Sequence, residues 1–416
     1  MVKTQVLPNG LTLVAEKIPF VRSVCFGIWV KNGSRNESRA NNGISHFIEH
    51  MLFKGTDKRT AGQIADEIDA VGGQLNAYTS KEYTCYYTRT LDANFDIALD
   101  IISDMFFNSK FDEEEIHKER NVIFEEINMY EDSPEELVHD LLNAEIWKDN
   151  SLGYPILGTA ESISTFDNTA FKNYFNQQYI PANTVIAITG SFDEEEVISK
   201  IKDRFASFKD PDSKCDGLTK SSFNKALVTK EKEIEQVHLA MGFEGLSIGS
   251  EKSQAMAVLN TVIGGGLSSR LFQKIREEEG LVYAVYSYHS SFMDTGLFTI
   301  YAGLNRDNVP RVIELTLNEI EKFRCDNISV EQLQRTKEQL KSNYLLSMES
   351  TASRMSSIGK SQLLLNTVYG PDEIIGRIDN VCLEDLSELA QLLFDRNKMS
   401  LAAVGNVGGI PFKGII

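Results

Sequence analysis

At 416 residues the chain is too long for one ordinary hydrophobic core, so two or more domains are expected. Apolar residues at 42% and charged residues at 25% exclude a disordered or fibrous chain. The formal charge of −18 excludes a nucleic-acid partner held through phosphate contacts, because no basic excess exists to release counterions.

The first residues, MVKTQVLPNGLTLVAEKIPF, enter an alternating strand without an apolar leader core, and no later apolar run reaches membrane-spanning length. Cys25, Cys85, Cys215, Cys325 and Cys382 are far apart and lack CxxC spacing, which argues against a disulfide framework or a thiolate metal site. A cytoplasmic protein with no membrane partner is expected. GLTLVAEKI and SVCFGIWVKNGS read as strands, and GISHFIEHMLFKGT at 43–56 follows as a helix. A second helix, TAGQIADEIDAVG, is closed by Gly72 and Gly73, and QLNAYTSKEYTCYYTRTL reads as a hairpin around Ser80, Lys81 and Glu82. Helices are expected at 93–107 and 113–131, the latter opened by Asp112 with Glu115 three residues on, and a strand at 183–190 ends the half.

Between about 207 and 225 the periodicity fails and Pro, Gly, Ser, Asp and Lys gather, a linker composition. The same order of elements then returns: strands in EQVHLAMGFEGL, helices in SQAMAVLNTVIGG and SSRLFQKIREEEG, strands in LVYAVYSYHSSF and TGLFTIYAGL, and two more helices. GGQLNAYTS aligns with EEGLVYAVYS, and FDEEEIHKERNVIFEEI with ISVEQLQRTKEQLKSNY. Two copies of one α+β unit are the economical reading. The expected domains are 1–210 and 226–416, joined by a linker at 211–225.

In HFIEH, His46 and His50 are four apart, so on a helix both rings project from one face. Two imidazoles at that spacing can grip one cation at the roughly 2.0–2.1 Å that zinc requires, and Glu49 stands close enough to reach a water without binding metal. The bland alternative is a buried helix with satisfied core histidines, and chance supplies the bare H-x-x-E-H pattern in on the order of one chain in a hundred. Against that alternative, Ile44, Phe47, Ile48, Met51, Leu52 and Phe53 wrap the helix in apolar surface, where unpaired polar groups are costly.

A catalytic zinc needs a third protein ligand and one open position. On the helix at 113–131, Lys118, Asn121, Glu125, Asn128 and Asp132 form a polar face. Glu126 falls among Val122, Ile123, Ile127, Met129 and Tyr130, with Glu119 seven residues earlier on the same side. Buried carboxylates need a cation or strong donors. Ligation by Glu126 and support by Glu119 would provide them, an ion-pair role for either acid being the alternative.

HFIEH followed by Glu126 within ERNVIFEEINM resembles the inverzincin metallopeptidases of the pitrilysin, insulin-degrading enzyme and mitochondrial processing peptidase family. LGYPILGT, ANTVIAITG and GGGLSSRLFQKIREEEGLVYAVYS agree, so the resemblance spans nearly the whole length and is closest to the short, processing-peptidase-like bacterial branch. It implies an α+β fold of two similar α/β-sandwich domains making half of a clam-shell chamber, and a zinc-dependent endopeptidase. His46, His50 and Glu126 match the ligands of one zinc (Zn2+) per chain, Glu49 the general base acting on metal-activated water, and Glu119 an additional acidic position. Asn76 and Ala77 match the edge strand beside which substrate adds as a β-strand. Arg276 and Tyr283 match the arginine and tyrosine that reach substrate from a C-terminal domain.

Without the resemblance, LNAYT is an ordinary strand, Arg276 a surface cation beside Glu277, Glu278 and Glu279, and Tyr283 a packed strand residue. Asn150 departs from the family, where relatives often have histidine before SLGYP. Thr336 and Asn343 stand where the repeat pairs them with Glu119 and Glu126, so the second half should hold no zinc. The implied partners are a peptide or unfolded protein as substrate and a second copy of the chain, in a homodimer with a composite site. The alternative function is a catalytically silent scaffold or substrate-receptor subunit.

Overall fold

The computed structural model describes residues 2–210 and 217–415, so Cys215 and positions 211–216 of the expected linker lie outside the described residues. Strands β1 (Val2–Val6), β2 (Thr12–Lys17), β3 (Ser23–Val30), β4 (Gln74–Thr79), β5 (Thr84–Leu91) and β6 (Thr184–Gly190) form one sheet in the order β1, β2, β6, β3, β5, β4. Strands β7 (Leu227–Glu231), β8 (Gln236–Glu244), β9 (Val282–Ser291), β10 (Gly296–Asn305) and β11 (Ser400–Gly405) form the other in the order β7, β11, β8, β10, β9. In each sheet one pair is parallel, β2 with β6 and β7 with β11, and the later pairs are antiparallel in matching succession. The internal repeat expected from element order is therefore present, with β4 and β9 as equivalent edge strands.

Helices α1 (Ile44–Leu52), α2 (Ala61–Ala70), α3 (Phe95–Asn108) and α4 (Glu113–Asp132) follow the predicted positions within a few residues, and α5 (Pro134–Ile146) comes directly after them. Two local expectations fail. The helix expected over SSRLFQKIREEEG forms as a π-helix, Phe272–Glu278, a wider winding that periodicity does not distinguish from α. On α4, Val122, Met129 and Tyr130 are exposed and are not part of a buried face.

The central strands β3 and β6 are buried on both faces, which is why they read as nearly continuous apolar runs. Val24, Phe26, Ile28 and Val30 point into the core with Phe47, Ile48 and Phe171. Cys25, Gly27 and Trp29, on the alternate face, are equally buried, Trp29 and Gly27 beneath the helix Thr351–Leu365. There Trp29 Nε1 donates to Met355 Sδ at 3.2 Å, and Thr189 Oγ1 donates to the Thr351 carbonyl at 2.6 Å. The approach is close enough that a Cβ on Gly27 would meet Met355 Sδ at 2.5 Å and one on Gly359 would collide with the Trp29 indole.

The two compact units are consequently not contiguous in sequence. One gathers the described residues within Met1–Ile127, Tyr154–Leu218 and Leu345–Gly370, and the other those within Asn128–Gly153, Thr219–Tyr344 and Pro371–Ile416. Helix α5 covers the second sheet, burying Leu137, Val138, Leu142 and Ile146 with Ala240, Leu297, Ala402 and Val404. It occupies the same place in its repeat as Thr351–Leu365 does, directly after the long helices α4 and Val330–Ser347. Among the described residues no helix is long and apolar enough to cross a membrane.

Candidate metal centre

The apolar stripe of α1 sets its orientation. Burial of Ile44, Phe47, Ile48, Met51 and Leu52 turns His46, Glu49 and His50 to the opposite side, where each is partly exposed. The helix begins at Gly43, whose φ of 94° is left-handed and whose missing Cβ would sit 2.6 Å from the Leu157 carbonyl. Its first amides are satisfied by the buried Glu37 carboxylate, which accepts from Gly43 N at 2.7 Å and Ser45 N at 2.8 Å.

Helix α4, capped by Asp112 accepting from Glu114 N at 2.9 Å, presents Glu119 and Glu126 two turns apart to the same stripe. The Nε2 atoms of His46 and His50 lie 3.2 Å apart, and Glu126 Oε2 is 3.8 Å from the first and 3.7 Å from the second. A tetrahedral zinc with bonds of about 2.0–2.1 Å spaces its ligand atoms roughly 3.3 Å apart. Glu126 Oε2 and His46 Nδ1 are buried without a hydrogen-bond partner. A carboxylate oxygen 3.8 Å and 3.7 Å from two ring nitrogens is too distant to accept from either, and buried without a donor it is costly. The trio therefore fits a shared divalent cation.

The surroundings prepare it. Glu119, only 6% exposed, accepts from His50 Nδ1 at 2.8 Å and from Lys54 Nζ at 2.5 Å. Because the carboxylate has no proton to give, His50 carries its hydrogen on Nδ1 and keeps the Nε2 lone pair toward Glu126. Burial alone would raise the Glu119 carboxyl, but the His50 and Lys54 contacts outweigh it and hold it below the ordinary range. Burial pulls His46 down to about 3, with the neighbouring His50 adding to the effect. Burial works on His50 in the same direction, yet the hydrogen bond to Glu119 and the charges of Glu126, Glu119 and Glu49 together hold it above the usual value.

Glu49 is pushed up by burial and by the charge of Glu126, opposed by hydrogen bonds from Thr79. Thr79 ends β4, so the stripe of α1 and this edge strand meet. Asn76 is exposed and Ala77 half-buried on β4, whose sole strand partner among the described residues is β5, leaving its outer edge open to another strand. Beside it a cavity of about 580 Å³ opens between α2 and β4, lined by Phe53, Ile64, Ala65, Ile68, Leu75 and Asn76 among others.

His46, Glu49, His50, Glu119, Glu126, Asn76 and Ala77 thus fall in one neighbourhood of the first unit. Arg276 and Tyr283 belong to the second: the Arg276 guanidinium lies 4.9 Å from the centre of the Phe272 ring, and Tyr283 is 63% exposed on β9. Asn150 is buried, its Oδ1 accepting from Leu152 N at 2.9 Å, a loop-closing role. Thr336 Oγ1 donates to the Gln332 carbonyl, and among the described residues no group of metal-type ligands stands in the second repeat. Lys54 and Thr79 escaped the sequence reading. Lys54 could have been found, since it lies four residues beyond His50, just past the end of the same helix.

A duplicated α+β fold in which the first copy alone carries an inverted H-x-x-E-H helix and a distant glutamate defines the inverzincin class of metallopeptidase. The chain belongs to the insulinase family, peptidase family M16: residues 12–160 match that family, and residues 165–340 match its companion, the peptidase M16 inactive domain. It is 44% identical over 411 residues to a Bacillus subtilis protein named as the uncharacterized zinc protease YmxG, covering 99% of this chain and 100% of that one. A Streptomyces coelicolor protein, also named as an uncharacterized zinc protease, is 39% identical, covering 97% of this chain and 89% of its own. Among solved structures, a protease from Helicobacter pylori superposes with a TM-score of 0.92 at 21% identity over 97% of this chain and 99% of that one. A peptidase M16 inactive domain from Pseudomonas fluorescens does so with a TM-score of 0.91 at 17% identity over 97% and 98%.

Proposed function

We propose that this chain is a zinc-dependent endopeptidase acting on peptides or unfolded segments. The observation that carries the reading is the meeting of the His46, His50 and Glu126 trio with an open edge strand, Glu49 standing between them. Zinc held by the two imidazoles and the carboxylate would supply a Lewis acid that acidifies water and polarises a peptide carbonyl. Glu49 takes a proton from water and returns it to the leaving amine, one oxygen held by Thr79 and the other left for the proton. Substrate lies along Asn76 and Ala77 on β4, its backbone supplying the hydrogen bonds, which makes affinity tolerant of sequence. The apolar cavity beside β4 accepts one large apolar side chain and provides what selectivity there is.

The reading is tested by zinc content of the purified protein and by chelator-sensitive cleavage of a quenched peptide. A metal-free, inactive chain would leave a scaffold or receptor role in its place. Glu119→Gln is expected to weaken zinc binding about 10–100-fold, because the His50 ring loses its charged acceptor and Lys54 its counter-ion. Competition against a chelating dye measures it.

The working unit is a homodimer in which Arg276 and Tyr283 of one copy complete the centre of the other. Both are available for this: Tyr283 is largely exposed, and the Arg276 guanidinium rests on the Phe272 ring. Mixing His46→Ala chains with Tyr283→Phe chains is expected to restore activity in exchanged dimers to about a quarter to a half of the parent, by simple statistics of one intact site per mixed dimer. Activity no higher than either variant alone would remove the shared site.

A further inference from the structure

Glu49 has three rotatable side-chain bonds and stands on a half-buried face, so something must hold it if one oxygen is to face the reacting water. The Thr79 hydroxyl donates to Glu49 Oε2 at 2.5 Å. An ionised carboxylate can only accept, so the Thr79 hydroxyl gives its proton to Glu49, while Thr84 Oγ1, 3.4 Å from Thr79 Oγ1, donates to the Asn32 carbonyl at 2.8 Å.

The chain of contacts does not stop there. Asn32 is fully buried, its Nδ2 donating to Ser45 Oγ at 3.1 Å and its Oδ1 accepting from Tyr174 OH at 3.0 Å. Ser45 in turn sits in the first turn of α1, its amide on Glu37. One buried polar network therefore joins the start of α1, the β4–β5 hairpin and the carboxylate of Glu49. At the far side of that hairpin a buried ion pair, Arg35 with Glu82 at 2.5 Å, anchors the turn.

We infer that Thr79 is a positioning residue that ties Glu49 to the strand on which substrate lies, so that the base and the substrate backbone share one frame. The inference rests on the peptidase reading for its catalytic consequence, while the Thr79–Glu49 coupling itself does not. Thr79→Val keeps shape and strand propensity while removing the donor, and Thr79→Ser restores the donor. With a quenched peptide, Thr79→Val is expected to lower kcat about 10–100-fold with KM within about twofold and zinc content unchanged, and Thr79→Ser to return kcat to within about threefold of the parent. An unchanged kcat, a loss confined to KM, or a loss of zinc overturns it.

A second readout does not depend on activity. In the metal-free protein, Thr79→Val is expected to lower the melting temperature by about 2–4 °C when Glu49 is present and not at all in a Glu49→Met background. The same shift in both backgrounds overturns the coupling. If the coupling is found and no peptidase activity exists in the zinc-loaded parent, it is the peptidase reading that fails.

Discussion

Exchanging Glu49 for Gln is expected to lower kcat on a quenched peptide by about a hundred- to ten-thousand-fold, the range spanned by general-base catalysis. Zinc content should stay at the parental level, because Glu49 lies outside the His46, His50 and Glu126 trio. Gln can still accept from the Thr79 hydroxyl, so the geometry around it survives and only the capacity to take a proton is lost. Burial and the charge of Glu126 already press Glu49 toward holding a proton, which suits a group that must accept one and release it within a turnover. Measured side by side, kcat and bound zinc separate a base from a ligand. A variant that loses its metal along with its activity would move Glu49 into the coordination set.

The second large effect concerns Glu126. In the parent, zinc at a hundred times its Kd contributes about 2.7 kcal/mol of stability. That corresponds to a rise in melting temperature of roughly 5–10 °C for a domain of this size. Glu126→Met is expected to abolish that rise. In metal-free protein the same substitution should leave the melting temperature unchanged or a few degrees higher, because the parent buries a carboxylate oxygen with no donor and methionine does not. The side chain is 31% exposed, so the gain is small. Calorimetry with and without zinc reads both signs at once. A metal-free variant that melts well below the parent would show Glu126 serving chiefly as a structural ion-pair partner.

Much of this arrangement was written into short-range periodicity. The stripe of His46, Glu49 and His50 on the largely apolar α1 and the hairpin around Ser80, Lys81 and Glu82 follow from spacings of three to four and of two. Long-range partners are another matter. The face of α4 was misjudged at Val122, Met129 and Tyr130, since an amphipathic pattern says which side is apolar and not whether a neighbour arrives to cover it. The π winding at Phe272–Glu278 was invisible because it changes the ring size of the backbone hydrogen bonds without altering composition. Nothing in Thr351–Leu365 announces that it covers Trp29 rather than a strand of its own repeat. Its two tell-tale features, Gly359 and Met355, acquire meaning only when set against Trp29 and Gly27.

That late helix sets a timetable for biosynthesis. As the chain leaves the ribosome, every residue of the metal trio has emerged by position 126, yet the indole of Trp29 waits some two hundred further residues for Met355. Until that helix is made, the face of the first sheet that carries Trp29 lacks its cover, and a chain that stops before it carries the ligands without the finished floor beneath them. The ligands of the centre are thus encoded well before the helix that closes the opposite face of their sheet.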